Sequence, residues 1–176
     1  DVDYIRQYIN DYILFNKVSP VVIIDYLQII PGREQDRNDK ERVDYVVTEL
    51  KRISRDFNIS IIVVSSLNRT NYLTPIDFES FKESGGIEYT ADVVWGLQLQ
   101  VIHESIFSKN GDLKRKRDLI NRAKKANPRK IELVCLKNRN GISNYSCVFD
   151  YYPKYDLFIS KEDFEADWIG YQGGQI

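Results

Sequence analysis

The chain has 176 residues, 43% hydrophobic and 29% charged, with a net charge of −1, which fits one soluble globular domain with a real core and excludes a disordered or fibrous chain. No apolar run approaches the roughly 20 residues needed to span a bilayer, and "DVDYIRQYINDY" has neither the basic start nor the apolar core of a signal peptide. Two cysteines, Cys135 and Cys147, are too few for a disulfide scaffold, so a reducing, cytoplasmic setting and two free thiols are expected.

Asp3 to Asn16 repeats Tyr4, Ile5, Tyr8, Ile9, Tyr12 and Ile13 at three-to-four spacing, the pattern of an amphipathic helix. Pro20 stops it. Val21–Ile24 then reads as a buried strand, branched and without a polar face. It delivers an aspartate, Asp25, into the apolar run "VVIIDYLQII". An unpaired buried carboxylate is costly, so Asp25 must stand at the strand's mouth or meet a partner.

"PGREQDRNDK" is a polar loop, and Asp39 to Phe57 forms a second helix on Val43, Val46, Val47, Leu50, Ile53 and Phe57. "ISIIVVSS" is a second apolar strand. Strand, helix, strand with unalternating strands predicts a parallel sheet covered on both faces. After Leu67 a long polar run, "NRTNYLTPIDFESFKESGGIEYTAD", carries Pro75 and Gly85-Gly86 and is expected to lack structure; a run of that length inside a compact domain is usually functional or mobile.

Val93–Ile102 is a third strand candidate. The basic segment that follows, Lys109–Lys130, carries ten Lys/Arg against two Asp, so it sums to +8 and the other residues to −9. Leu113 to Ala126 within it is expected to be helical; it is either a solvated surface helix or the mark of an anionic partner. "KIELVCLK" and "YSCVFDYY" flank Asn140-Gly141, a hairpin signal that, with a two-residue turn, sets Cys135 opposite Ser146. Residues 161–176 read as a tail. The chain has no methionine and starts at Asp1, so a piece of a longer protein is expected.

Three groups carry chemistry. Ligands bind at the carboxyl ends of parallel strands, where Asp25 could hold a metal against phosphates or merely cap a turn. Ser65, Ser66, Asn68 and Arg69 at the end of the second strand could sense a phosphate, though Ser and Asn are also ordinary turn residues. Lys137 and Arg139, two apart near a hairpin tip, would point the same way, toward a phosphate or simply into solvent.

The order "IIDYLQII", "SSLNR", "KESGGIEYTAD", "LKNRNG" resembles the C-terminal ATPase domain of DnaB-type replicative DNA helicases across nearly the whole chain. The resemblance implies an α/β fold, a partial RecA-like core with a mostly parallel sheet, flanking helices and a C-terminal β-hairpin over residues 1–160. It implies that Asp25 matches the Walker B aspartate that holds Mg²⁺. Lys137 and Arg139 match the pair whose arginine reaches the ATP of a neighbouring subunit. Lys82, Glu83 and Gly85 match the loop that faces single-stranded DNA. The implied partners are single-stranded DNA, the other subunits of a homo-hexamer, primase and a helicase loader, with no membrane.

Two departures stand out. Ser66 occupies the place of the family's phosphate-sensing glutamine, so sensing is expected to be weak or rerouted through Asn68. No G-x-x-x-x-G-K-[ST] occurs among the nine glycines, which suggests truncation and a chain unable to hydrolyse ATP alone. The basic 109–130 segment is longer than the family's usual connection. A non-catalytic RecA-fold remnant that binds single-stranded DNA or a partner ring is the alternative reading.

Overall fold

The computed structural model describes residues 1–36, 38–68, 72–81, 85–103, 107 and 112–160. Helix α1 (Val2–Asn16) starts on Asp1, whose carboxylate accepts from the Tyr4 amide, and ends at Lys17 in the left-handed region, φ 57°. Strand β1 (Val21–Ile24) is followed by a 3₁₀ turn, Leu27–Ile29. Helix α2 (Asp39–Phe57) is capped by the Asn38 side chain on the Glu41 amide and closed by Asn58 in the left-handed region, where an asparagine is tolerated. The helix spans the predicted residues.

Strand β2 (Ser60–Val63) pairs with β1 in parallel, Val21 opposite Ser60 through Ile24 opposite Val63. A 3₁₀ turn (Phe78–Ser80), helix α3 (Gly85–Thr90) and strand β3 (Val93–Leu99) follow. Two elements therefore lie inside the run expected to be without structure. Asp77 accounts for the first: its carboxylate accepts from the Ser80 amide while Ser80 Oγ accepts from the Asp77 amide. A 3₁₀ turn at Gln100–His103 ends the third strand earlier than expected, and α4 (Leu113–Lys125) stops one residue short of the expected Ala126.

Strands β4 (Arg129–Asn138), β5 (Tyr145–Tyr152) and β6 (Leu157–Ser160) complete a four-stranded sheet of order β3-β4-β5-β6. The expectation of a mostly parallel sheet is corrected here: β1-β2 is a parallel pair on its own, and β4-β5 and β5-β6 are antiparallel. Strands joined by such short connections can only run antiparallel, since a parallel return needs a crossover of a dozen residues or more. The parallel pair also differs from expectation in cover. Val21, Ile23 and Ile62 are 63%, 70% and 49% exposed, so the apolar strands have one open face, not two covered ones.

The chain divides into two compact units. One comprises Asp1–Tyr72, Ile76–Val94 and Lys137–Gly141; the other comprises Leu73–Pro75, Trp95–Leu136 and the chain from Ile142 onward. Val43, Val46, Leu50 and Ile53 of α2 are buried in the first, with Val2 and Ile9 of α1. Ile102, Phe107 and Ile120 form a buried cluster in the second. Among the described residues no helix is long and apolar enough to cross a membrane, and Cys135 and Cys147 form no disulfide.

The hairpin register departs by one residue from the two-residue turn read in Asn140-Gly141. Cys135 lies opposite Tyr145, not Ser146. The connection is six residues long, and its left-handed position is Asn144 (φ 60°), whose amide donates to the Cys135 carbonyl at 2.9 Å. A type I′ turn would need positive φ at both Asn140 and Gly141, and neither has it.

Ile53 is 1% exposed. Truncation to alanine should cost about 2–5 kcal/mol, as for a buried aliphatic side chain whose site collapses only in part. Chemical denaturation of Ile53→Ala against the parent chain measures it, and a loss under about 1 kcal/mol would mean that α2 is not the core helix of its unit.

Candidate functional site

The carboxyl ends of β1 and β2 stand side by side. Past the strands the pairing continues, with the Val64 amide donating to the Ile24 carbonyl at 2.9 Å and the Leu27 amide to the Val64 carbonyl at 2.8 Å. Asp25 and Ser65 therefore emerge together, Asp25 exposed, and the peptide bond after Asp25 is cis. Among the described residues Asp25 enters no ion pair or hydrogen bond. Nor is there, among them, any group of three or more metal-ligating side chains. A lone accessible carboxylate fits Mg²⁺, which keeps several waters and takes one or two carboxylates plus substrate phosphates.

Sequence reasoning missed the residue that organises these strand ends. Gln28 donates from Nε2 to Ser65 Oγ at 3.0 Å, and its Oε1 accepts from the Ser66 amide at 3.1 Å. Arg42 of α2 holds the Gln28 carbonyl at 2.8 Å. One carboxamide thus clamps both serines. The signal was present: Gln28 stands three residues after Asp25 in "DYLQ".

Asn68 is tied to the chain that precedes residue 82. Its amide donates to the Ser80 carbonyl at 2.8 Å, and its side-chain Nδ2 lies 3.2 Å and 3.3 Å from the Glu79 and Phe81 carbonyls. Leu67 forms an antiparallel bridge with Phe81. The chain leaving β2 is therefore tied to the residue immediately before Lys82. Lys82 and Glu83, like Arg69, lie outside the described residues.

Gly85 and Gly86 open α3, and they are not equivalent. A Cβ on Gly85 would meet nothing closer than Lys40 Cε at 3.8 Å, whereas one on Gly86 would lie 2.3 Å from Asp44 Oδ1 and 3.1 Å from Asp44 Cα. The Gly86 amide donates to Asp44 Oδ1 at 2.9 Å. Close approach to α2 demands the second glycine, while the first is sterically free.

The other end of α3 receives the two cations. Lys137 Nζ donates to the Glu88 carbonyl at 2.6 Å and Arg139 Nη2 to the Tyr89 carbonyl at 3.2 Å. Cations suit the last carbonyls of a helix, which have no partner in the ladder and carry the negative end of its dipole. Arg139 is fixed further: Nη1 donates to Asp92 Oδ1 at 2.9 Å, and its backbone amide donates to the Asp92 carbonyl at 2.8 Å. Lys51 of α2 holds the other Asp92 oxygen. Lys137 and Arg139 are thus brought together on α3, as their spacing predicts, but from an antiparallel strand and its turn, not from the edge that carries Asp25 and Ser65.

The hydrogen bond from Lys51, reinforced by the charges of Lys51, Arg139 and Lys137, holds the Asp92 carboxyl below its ordinary range against a smaller opposing effect of burial. Asp92 and Lys51 were not singled out by sequence, because only the fold brings residues 41 and 47 positions from Asp92 onto its carboxylate.

Residues 5–159 match the model of the DnaB-like helicase C-terminal domain. The chain is 27% identical over 87% of its length to a probable replicative DNA helicase of Trieres chinensis. It is 28% identical over 80% of its length to the replicative DNA helicase DnaB of Helicobacter pylori J99. In each case it spans 33% of the relative, about a third of the length of the curated relatives it matches. A DnaB-like replicative helicase solved for its interactions with primase superimposes with a TM-score of 0.67 at 20% identity, covering 90% of this chain and 34% of that one. A second solved structure, an ATPase domain, gives 0.69 at 20%, covering 92% of this chain and 52% of that one. At that identity the likeness shows a shared α/β fold.

The Asp92 environment yields a pH expectation. A depressed folded value means that the contribution of Asp92 is complete above the unfolded value of about 3.9 and fades as pH falls through the folded one. A carboxyl-carbon NMR titration should place the midpoint below that of a free aspartate, and Lys51→Ala should move it up. A midpoint at or above the free value would remove the clamp.

Proposed function

Because the chain belongs to the DnaB-like helicase C-terminal domain family, we propose that it is the C-terminal part of a RecA-like ATPase domain in a longer protein. In this reading the whole protein is a replicative helicase that unwinds duplex DNA as a hexameric ring driven by ATP and Mg²⁺. The domain spans residues 1–160, with 161–176 a tail. The open apolar face of β1-β2, with Val21, Ile23 and Ile62 exposed, supports a sheet that further chain completes.

The observation that carries the reading is the Arg139 fork, held by Asp92 and the last turn of α3. A guanidinium has five N–H donors, and these two contacts occupy two of them. The rest of a half-exposed fork (47%) is available to an anion. Presented from outside the strand ends that carry Asp25, it suits a phosphate on a neighbouring subunit. Lys137 shares the α3 anchor and adds positive charge. Asp25 would hold Mg²⁺, which when bound neutralises phosphate charge. Ser65 and Ser66, set by Gln28, line the strand end where the phosphate would lie, and Asn68 and Arg69 begin the path toward the DNA loop.

That loop comprises Lys82, Glu83 and Gly85, and its cation would meet the backbone of single-stranded DNA without reading sequence. Gly85 is also the first residue of helix α3, whose last turn receives Lys137 and Arg139, so one six-residue helix joins the loop to the guanidinium. Primase and a helicase loader are further partners of the ring in this reading.

In the full-length ring, Arg139→Ala should leave ATP affinity near normal while lowering DNA-stimulated turnover on the order of 10³-fold or more, the scale of arginine fingers elsewhere. Lysine should not rescue it, because a point charge lacks the planar fork. Mixed rings with Asp25→Asn subunits should regain activity at interfaces that pair an intact Asp25 with an intact Arg139. Steady-state ATPase decides the matter, and normal turnover by Arg139→Ala would return this turn to an ordinary surface feature.

Lys82→Ala should weaken single-strand binding evenly across base sequences and flatten its salt dependence by about one contact. Anisotropy with oligonucleotides of different composition measures it; a loss confined to one sequence would contradict a backbone contact.

A further inference from the structure

The ATPase reading leaves the basic segment unused, and its helix has an unusual outer face. α4 contains seven Lys/Arg and one Asp in 13 residues. One of the seven, Lys116, is buried, and Ile120 is buried beside it. The other six are exposed: Lys114, Arg115, Arg117, Arg122, Lys124 and Lys125. Among the described residues none of these six forms an ion pair.

Neighbouring cations show what the same unit does when it uses charge for structure. Lys130 pairs with Asp150. Arg129 donates to the Lys124 carbonyl at the end of α4 and lies over the Tyr151 ring at 5.8 Å from its centroid. The rest of the chain, outside 109–130, sums to −9, so carboxylates are abundant. The six side chains of α4 are nonetheless left facing water, where like charges on one helix repel one another.

Their spacing is ordered. At 3.6 residues per turn, Arg115 and Arg122 stack along one flank, Arg117 and Lys124 along the other, and Lys114 and Lys125 run between them. The array covers roughly 20 Å of helix, a length over which one strand of a nucleic-acid duplex presents about six phosphates at ~3.4 Å each. The apolar side is not available to a bilayer, because Ile120 packs with Ile102 and Phe107 and Leu119 lies against the same cluster. A membrane-surface helix needs that side free.

We propose that the outer face of α4 is a binding site for the phosphodiester backbone of nucleic acid, engaged without regard to base sequence. It uses none of the residues of the loop at Lys82, and it does not rest on the ATP site. Its physical basis is release of condensed counterions by up to six cations.

Anisotropy of labelled 30-nucleotide single-stranded and duplex DNA tests it across a salt series, with the present chain and with two variants. One is the sextuple glutamine variant; the other is Arg115→Gln/Arg117→Gln/Arg122→Gln, which keeps the helix should the first not fold. Glutamine is close to lysine and arginine in helix propensity, and the buried Lys116 and Ile120 are untouched, so circular dichroism should not change. The expected result is at least a tenfold loss of affinity for the sextuple variant. Its salt slope should flatten by roughly 0.7 per lost contact on single strands or 0.9 on duplex. The triple variant should give about half that change in slope, and the stronger of the two DNA forms identifies the preferred source. Unchanged affinity and slope overturn the proposal, as does absence of DNA binding by the parent chain. Binding lost in Lys82→Ala but retained in the α4 variants, or a phenotype confined to phosphatidylserine vesicles, also overturns it.

Discussion

The Asp92 carboxylate holds together three pieces of chain that the sequence keeps apart. One oxygen accepts from Lys51 of α2 and the other from Arg139 beyond β4, while the Asp92 carbonyl takes the Arg139 amide. Each ion pair is partly exposed and so worth little alone. Together they determine where the turn after β4 sits in its unit, and therefore where a guanidinium can be presented. Removing the carboxylate would leave Lys51 and Arg139 as like charges at the same place.

A second set of contacts joins the strand ends to the start of the proposed DNA loop. Gln28 orders Ser65 and Ser66, Leu67 bridges to Phe81, and Asn68 ties into Glu79, Ser80 and Phe81. Between the strand end and residue 82 there is thus continuous hydrogen bonding within one unit. Beyond that loop, α3 is held by Asp44 at its first turn and by Lys137 and Arg139 at its last. A six-residue helix has little stability of its own, so these end contacts define its position.

The charge distribution follows the same division of labour. Cations that position structure are paired or cap carbonyls, as Lys51, Arg129 and Lys130 do. Six cations of α4 are instead exposed and form no ion pair among the described residues. The apolar residues left exposed on β1-β2 are the counterpart in hydrophobic surface: Val21 and Ile23 read as core in sequence but have no cover within the described residues.

Local pattern by itself determined most of the elements. The 3.6-residue period of Val43, Val46, Leu50 and Ile53 delimits α2, the branched run Val21–Ile24 is β1, and "YSCVFDYY" is β5, because each signal lies within a few neighbouring residues. The strand-helix-strand pattern also put Asp25 and Ser65 at the ends of parallel strands, which pair in the fold. Tertiary structure alone decided the rest. The β4-β5 hairpin was legible in Asn140-Gly141, but its register depended on which residue took the left-handed conformation, Asn144 and not the Asn-Gly pair, and the division into a parallel pair and a separate four-stranded sheet appears only in the fold. The roles of Gln28, Asp44, Lys51 and Asp92 depended on partners 37 to 47 positions away. Hydrogen bonds at that separation leave no periodic trace in a sequence, since each requires only one residue of the right kind at each end and a fold to bring them together.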